Sequence, residues 1–140
     1  MTAPASSADP LVLAIEARRI AEKEQARFYR ALAVAAQESG DEALEERFQG
    51  LRADEQHQLS RLSARLVEMG LVPAEVTLPA VSVTLLNWEP IARAREAREI
   101  RAYETLLEGQ LDDRTREIFA ESLEVERHHE RDLDGKWTMA

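Results

Sequence analysis

Apolar residues recur along most of this chain at intervals of three and four, the period of a single helix face, and they do so in four separate blocks. Asp9 followed by Pro10 supplies a capping side chain and a first-turn proline. The run that follows, LVLAIEARRIAEKEQARFYRALAVAAQ, meets no breaker before Gly40, which predicts a helix over about residues 10–39. Asp41 caps a second block ending at Gly70, a helix over about 42–69 with Gly50 as a mild weakness inside it. After Pro90, IARAREAREIRAYETLLEG predicts a third helix over about 91–108. Asp112 or Asp113 then caps a fourth through RTREIFAESLEVERHHERDL, over about 113–134, with Gly135 as its stop. Residues 71–90 differ in kind, with Pro73, Pro79 and Pro90, many β-branched side chains and no helical period. So long a connection without its own helix is unusual in a compact domain, and makes sense if it travels the length of a bundle. The expected fold class is therefore all-α: a single domain over residues 1–140, a four-helix bundle of two helical hairpins joined by a long crossover.

The apolar faces contain an anomaly at their centres. In the second block the stripe Leu44, Phe48, Leu51, Glu55, Leu62, Leu66, Met69 is apolar except at Glu55. The fourth block repeats it with Phe119, Leu123, Glu126 and Leu133. Phe48–Glu55–Leu62 and Phe119–Glu126–Leu133 both advance in steps of seven, nearly two helical turns, so each trio shares one face over about 21 Å. The first and third blocks are related in the same way. Glu22 precedes Tyr29 by seven residues and Glu96 precedes Tyr103 by seven, with Leu32 and Leu106 at matching offsets. A single glutamate in such a stripe is best read as a tolerated surface group. One on each of four helices, at mirrored positions, converges on the middle of the bundle. There the charges would repel unless cations compensate them, and a pair of divalent ions does so.

Charge and composition narrow the function classes. With 18 Lys and Arg against 27 Asp and Glu, the net charge is -9, which argues against nucleic-acid binding because phosphate neutralisation needs basic clusters. There is no cysteine, hence no disulfide, iron–sulfur cluster, zinc ribbon or thiol nucleophile. The first residues, MTAPASSADP, lack a basic stretch followed by an apolar run, and no segment has the apolar length of a membrane span. The expectation is a cytoplasmic protein with neither a nucleic-acid nor a membrane partner.

The ordered set of glutamates, with Glu126 and His129 in Glu-x-x-His spacing, resembles the rubrerythrin-type branch of the ferritin-like di-iron carboxylate superfamily over roughly residues 9–135. The resemblance implies Glu22 as the ligand from the first helix and Glu55 as a bridging carboxylate from the second. It implies Glu96 and Glu99 as a pair from the third helix, and Glu126 and His129 from the fourth. Tyr29 and Tyr103 match tyrosines that line such sites, although the same spacing serves core packing equally well. It further implies two iron ions, or manganese, and an oxidoreductase acting on peroxide or dioxygen. A peroxidase cycle here would need an external electron donor, because the four-cysteine module of long rubrerythrins is missing. A homodimer or higher homo-oligomer is expected.

One position departs from the family pattern. The histidine expected three residues after Glu55 is Gln58, and His57 lies about 200° around the helix from Glu55. A competing register takes Asp54 and His57 as ligands, but it turns Arg47 and Arg61 inward, and the repeat aligns Glu55 with Glu126 and Gln58 with His129. His57 and His128 then fall on the surface. Two other functions stand beside the enzyme: ferritin-like oxidation and storage of ferrous iron, and a metal-free helical interaction protein.

Overall fold

The computed structural model describes residue 6 and residues 9–133. These form four helices: α1 (Pro10–Glu38), α2 (Glu42–Glu68), α3 (Trp88–Glu108) and α4 (Asp113–Asp132). No strand occurs among the described residues, and none of the helices is long and apolar enough to cross a membrane. Side-chain caps start three of them. Asp9 accepts from the Leu11 N–H, Asp41 from that of Leu44 and Asp112 from that of Thr115, each satisfying a donor left over in a first turn.

The stops after α1 and α2 share one geometry. Gly40 has φ 77° and Gly70 φ 82°, the left-handed conformation that costs glycine least. The N–H of Asp41 reaches back to the Ala36 carbonyl and that of Leu71 to the Leu66 carbonyl, each at 3.0 Å. These bonds close the helix ends and satisfy their last carbonyls.

The start of α3 corrects the sequence expectation of residue 91: the helix begins at Trp88 and takes Pro90 into its first turn. The N–H groups of a first turn have no intrahelical partner, so a proline there forfeits no bond. The fourth helix ends at Asp132, with Leu133 as its cap; the expected end at 134 and the stop at Gly135 lie outside the described residues.

Two apolar clusters give the helices their directions. One gathers Leu32 and Ala36 from late α1, Phe48 from early α2, Trp88 from the start of α3 and Leu133 after α4. The other gathers Val12 and Ile15 from early α1, Leu62 and Leu66 from late α2, Tyr103 from late α3 and Ile118 from early α4. Thus α1 and α4 run one way and α2 and α3 the other. Residues 69–87, which link α2 to α3, contain neither helix nor strand. They lie along α1, where Arg19 donates to the Ala74 carbonyl, Lys23 to that of Val76 and Arg27 to that of Pro79. These donors are four residues apart on one helix face, so successive turns of α1 supply the hydrogen bonds that an irregular backbone cannot make with itself.

Between the clusters is a polar layer. Glu55 lies between Leu51 of one cluster and Leu62 of the other; Glu22, Glu96 and Glu126 hold the same intermediate place on their own helices. The alternation of apolar and acidic positions along each helix is what creates this layer.

The two kinds of glycine should respond oppositely to alanine. Gly70→Ala forces a side chain into the left-handed region and should cost about 1 kcal/mol. Gly50 is inside α2 with nothing within 4 Å of an added Cβ, so Gly50→Ala should stabilise by roughly 0.5–1 kcal/mol. Urea unfolding of both variants measures the two effects, and shifts of the same sign would contradict this account of the helix stop.

Candidate metal centre

The polar layer is closed. Glu22, Glu55, Glu96, Glu126 and His129 are 0% exposed and Glu99 is 4% exposed. Each of the first four comes from a different helix, placed at mid-height because apolar side chains one and two turns away anchor the helix on either side. Ligand atoms of Glu55, Glu96, Glu126 and His129 all lie within 4.8 Å of one another. A surface groove lined by Lys23, Arg27, Arg30 and Val81 contains none of the six, so the cluster is a polar core and not the floor of an open cleft.

Hydrogen bonds orient the cluster from outside. Tyr29, on α1, donates to Glu96 Oε1 on α3 at 2.5 Å, while Tyr103, on α3, donates to Glu22 Oε1 on α1 at 2.6 Å. The repeat seen in the sequence is therefore an exchange in space, each tyrosine serving the glutamate of the opposite helix. Gln25 adds a donor to Glu96 Oε1 at 3.3 Å and is itself held by Arg95 at 2.7 Å. His129 Nε2 is 2.8 Å from Asp54 Oδ2, and its Nδ1 is 3.0 Å from Glu55 Oε1, within ion-pair range but not aligned as a hydrogen bond.

What the hydrogen bonds leave over is more informative. Glu22 Oε2, Glu96 Oε2, both oxygens of Glu55 and of Glu126, and His129 Nδ1 are buried without a hydrogen-bond partner. Buried polar groups are nearly always paired, and such a concentration in one place requires compensation by protons or by a cation. Burial pushes Glu22 up, and it pushes Glu55 and Glu126 well above the usual carboxylate range, with the charge of Glu22 adding at Glu55 and that of Glu55 adding at Glu126. Burial alone would also raise Glu96, but the nearby Glu126 and His129 groups and the hydrogen bond from Tyr29 outweigh it and hold Glu96 low. At His129 burial favours the neutral ring, yet Asp54 and Glu96 overcome it and raise the imidazole to about 10. Without an ion the cluster is thus neutralised by protons. Both tyrosines are pushed far up, by burial and then by the glutamates beside them, and so remain donors.

The remaining candidates fall outside this arrangement or at its edge. Glu99 is buried but engaged, its Oε2 accepting from Arg18 at 2.7 Å. Gln58 is buried with its Oε1 accepting from Ser122 at 2.8 Å. His57 and His128 are exposed. Asp54 does not join the four clustered ligand groups; it is half-exposed and touches the site only through His129. Sequence reasoning treated Asp54 solely as an alternative ligand and missed this supporting role. It passed over Gln25, Arg95 and Arg18 as well, because their partners are 70 or more residues away and share no motif with them.

No protein-family model matches the chain, and no curated protein or solved structure does so.

The protonated cluster fixes the sign of a pH effect. Glu55 and Glu126 have folded values above the unfolded 4.5, so their contribution is fully present below that pH and is lost as pH rises through the folded values. For His129 the contribution is present below 6.5 and lost as pH rises toward about 10. In the presence of chelator, the unfolding midpoint should therefore fall between about pH 5 and pH 9, and Glu126→Gln should flatten the slope. Calorimetry at a series of pH values measures this; a variant as steep as the wild type would contradict the assignment.

Proposed function

We propose that the protein is a dimetal carboxylate protein, with two iron ions as its resident group and manganese as the substitute, and that its bundle is ferritin-like, with residues 69–87 as the crossover between hairpins. The observation that carries this reading is the set of buried, unpartnered carboxylate oxygens facing one another with His129 Nδ1 among them. The donor set fits the group. Oxygen-rich sites with an imidazole suit iron or manganese, whereas structural zinc favours closed shells of cysteine and histidine. Glu55, Glu96, Glu126 and His129 would hold one ion; Glu22, with Glu55 and Glu126 shared, would hold the second.

When bound, a pair of such ions supplies electrons to peroxide or dioxygen, which makes the proposed activity that of a rubrerythrin-like oxidoreductase. The chain's own side chains prepare the site for it. Tyr29 and Tyr103 each pin one oxygen of a glutamate, Glu96 and Glu22 respectively, and leave the other buried without a hydrogen-bond partner. Asp54 accepts a hydrogen bond from the Nε2–H of His129, so Nδ1 is the nitrogen that can give up its proton and present a lone pair. The two apolar clusters above and below the layer exclude water from the carboxylates. With no cysteine in the chain, reducing equivalents would come from a separate donor. Gln58, where a second imidazole is expected, favours one further reading, in which ferrous iron is oxidised stoichiometrically and passed on.

Anaerobic ferrous titration of chelator-treated protein should show two ions bound per chain and a rise in unfolding midpoint, about 2.7 kcal/mol per site at free metal a hundred times the dissociation constant. No rise at any concentration would sink the dimetal reading. Subsequent addition of peroxide or air separates turnover from slow stoichiometric oxidation.

Uptake of ions should also release protons, because His129 Nδ1, Glu55 and Glu126 carry them in the ion-free cluster. Titration calorimetry in buffers of different ionisation enthalpy counts these protons, and a buffer-independent heat would contradict the proton inventory. His129→Ala should weaken binding severely. His57→Ala, a change at an exposed position, should leave it nearly unchanged.

A further inference from the structure

Away from the bundle centre, the back of the first hairpin gathers positive charge on a chain that is acidic as a whole. Lys23, Arg27, Arg30 and Val34 follow one another along α1 at intervals of four, three and four, and so form one stripe. Arg52, Gln56 and Leu59 form the facing stripe on α2, and residues 80–83 of the crossover close the third side. Together they bound a groove of about 680 Å³, within the range of small-molecule sites. Because α1 and α2 turn back on each other at Gly40, Arg30 and Arg52 stand at nearly the same height on opposite walls. No carboxylate compensates these cations. Lys23 and Arg27 donate to the Val76 and Pro79 carbonyls, which satisfies donors but leaves the charges. Arg52 donates to the amide oxygen of Gln49 at 3.2 Å, and Arg30 has no hydrogen-bond or ion-pair partner among the described residues. Elsewhere on the surface Arg61 pairs with Glu121, Arg65 with Asp112 and Arg127 with Glu104. Glu38, the one acid in the lining among the described residues, is eight residues past Arg30, about 12 Å along the helix.

We propose that this groove binds a small amphipathic organic anion, with a carboxylate or phosphate head between Arg30 and Arg52 and an apolar body against Val34, Leu59, Val81 and Val83. The site is separate from the carboxylate cluster and does not rest on the dimetal reading, since none of its lining residues belongs to the candidate ligand set. Like charges in a concavity with apolar walls concentrate their potential inside it and draw in an anion. Two guanidiniums facing each other offer flat pairs of N–H donors that match the oxygens of a carboxylate or phosphate. Lys23 and Arg27 add to the field while keeping their bonds to the crossover. A bare inorganic ion would leave the apolar walls wet, and a neutral apolar molecule would leave the guanidiniums without a counter-charge. A ligand with both parts satisfies both. Walled on three sides, the groove admits a small molecule rather than the broad flat patch of a folded partner.

Titration calorimetry of the full chain with decanoate and decyl phosphate, against decanol and inorganic phosphate, tests the site, and two-dimensional NMR locates it. At least one of the two amphipathic anions should bind once per chain, moving amide signals chiefly in residues 26–35, 52–59 and 80–83; the tighter of the two identifies the head. Decanol and inorganic phosphate should each bind about tenfold more weakly or worse, and Arg30→Gln and Arg52→Gln should each weaken the anion by about tenfold, as loss of a charge-assisted hydrogen bond does. Ferrous uptake by both variants should stay that of the wild type, which separates the groove from the bundle centre. Decanol as tight as decanoate, or inorganic phosphate as tight as decyl phosphate, would overturn the amphipathic assignment. Unmoved affinity in both arginine variants, signals that move elsewhere, or no binding of any probe would overturn the site. Groove signals that shift with protein concentration in the absence of probe would give it to a second copy of the chain instead.

Discussion

Electrostatic repulsion among carboxylates held at one height is the constraint around which the bundle is arranged. The helices bring Glu22, Glu55, Glu96 and Glu126 into a layer from which water is excluded, where each charge raises the cost of the next. An apolar residue at any of the four positions would spare the fold that cost. The apolar clusters on either side supply the burial that offsets it, and they do so from both ends, which keeps the layer in the middle. A site of this kind is stable only as part of the whole bundle, since no helix contributes more than two of its groups.

The environment assigns different states to chemically similar side chains. Glu96 receives donors from Tyr29 and Gln25 and stays low, while Glu55 and Glu126, whose oxygens have none, rise. His129, between Asp54 and the carboxylates, carries the positive charge that the cluster otherwise lacks. An imidazolium in this place is the chain's own stand-in for a cation. It explains how a layer of buried acids survives in the protein by itself, and in the proposed reading it is the group whose proton gives way when metal arrives.

Much of this was legible in the sequence because local rules governed it. Capping aspartates and left-handed glycines are read one helix end at a time, and they placed the limits of α1 and α2 within a residue. The step of seven decided which face of α2 turns inward, so that Glu55 and Gln58 are buried and His57 is not. Pro90 misled because a proline stops a helix only beyond its first turn. The pairs Arg18–Glu99 and Asp54–His129 were out of reach for a different reason. Their members are 81 and 75 residues apart, and only the packing of one hairpin on the other makes them neighbours. Sequence periodicity indicates which face is buried; it does not say what that face meets.

The exchange of tyrosines between α1 and α3 fixes how the hairpins sit against each other along the bundle axis. A shift of one hairpin by a single helical turn, about 5.4 Å, would keep apolar faces in contact and so cost little in burial alone. It would nevertheless break the Tyr29–Glu96 and Tyr103–Glu22 bonds simultaneously, leaving two buried carboxylates and two buried phenols without partners. Because the bonds run in opposite directions between the same two helices, no slide in either sense can relieve one by lengthening the other. The pair works as a vernier, giving a greasy and otherwise slippery contact a single permitted alignment.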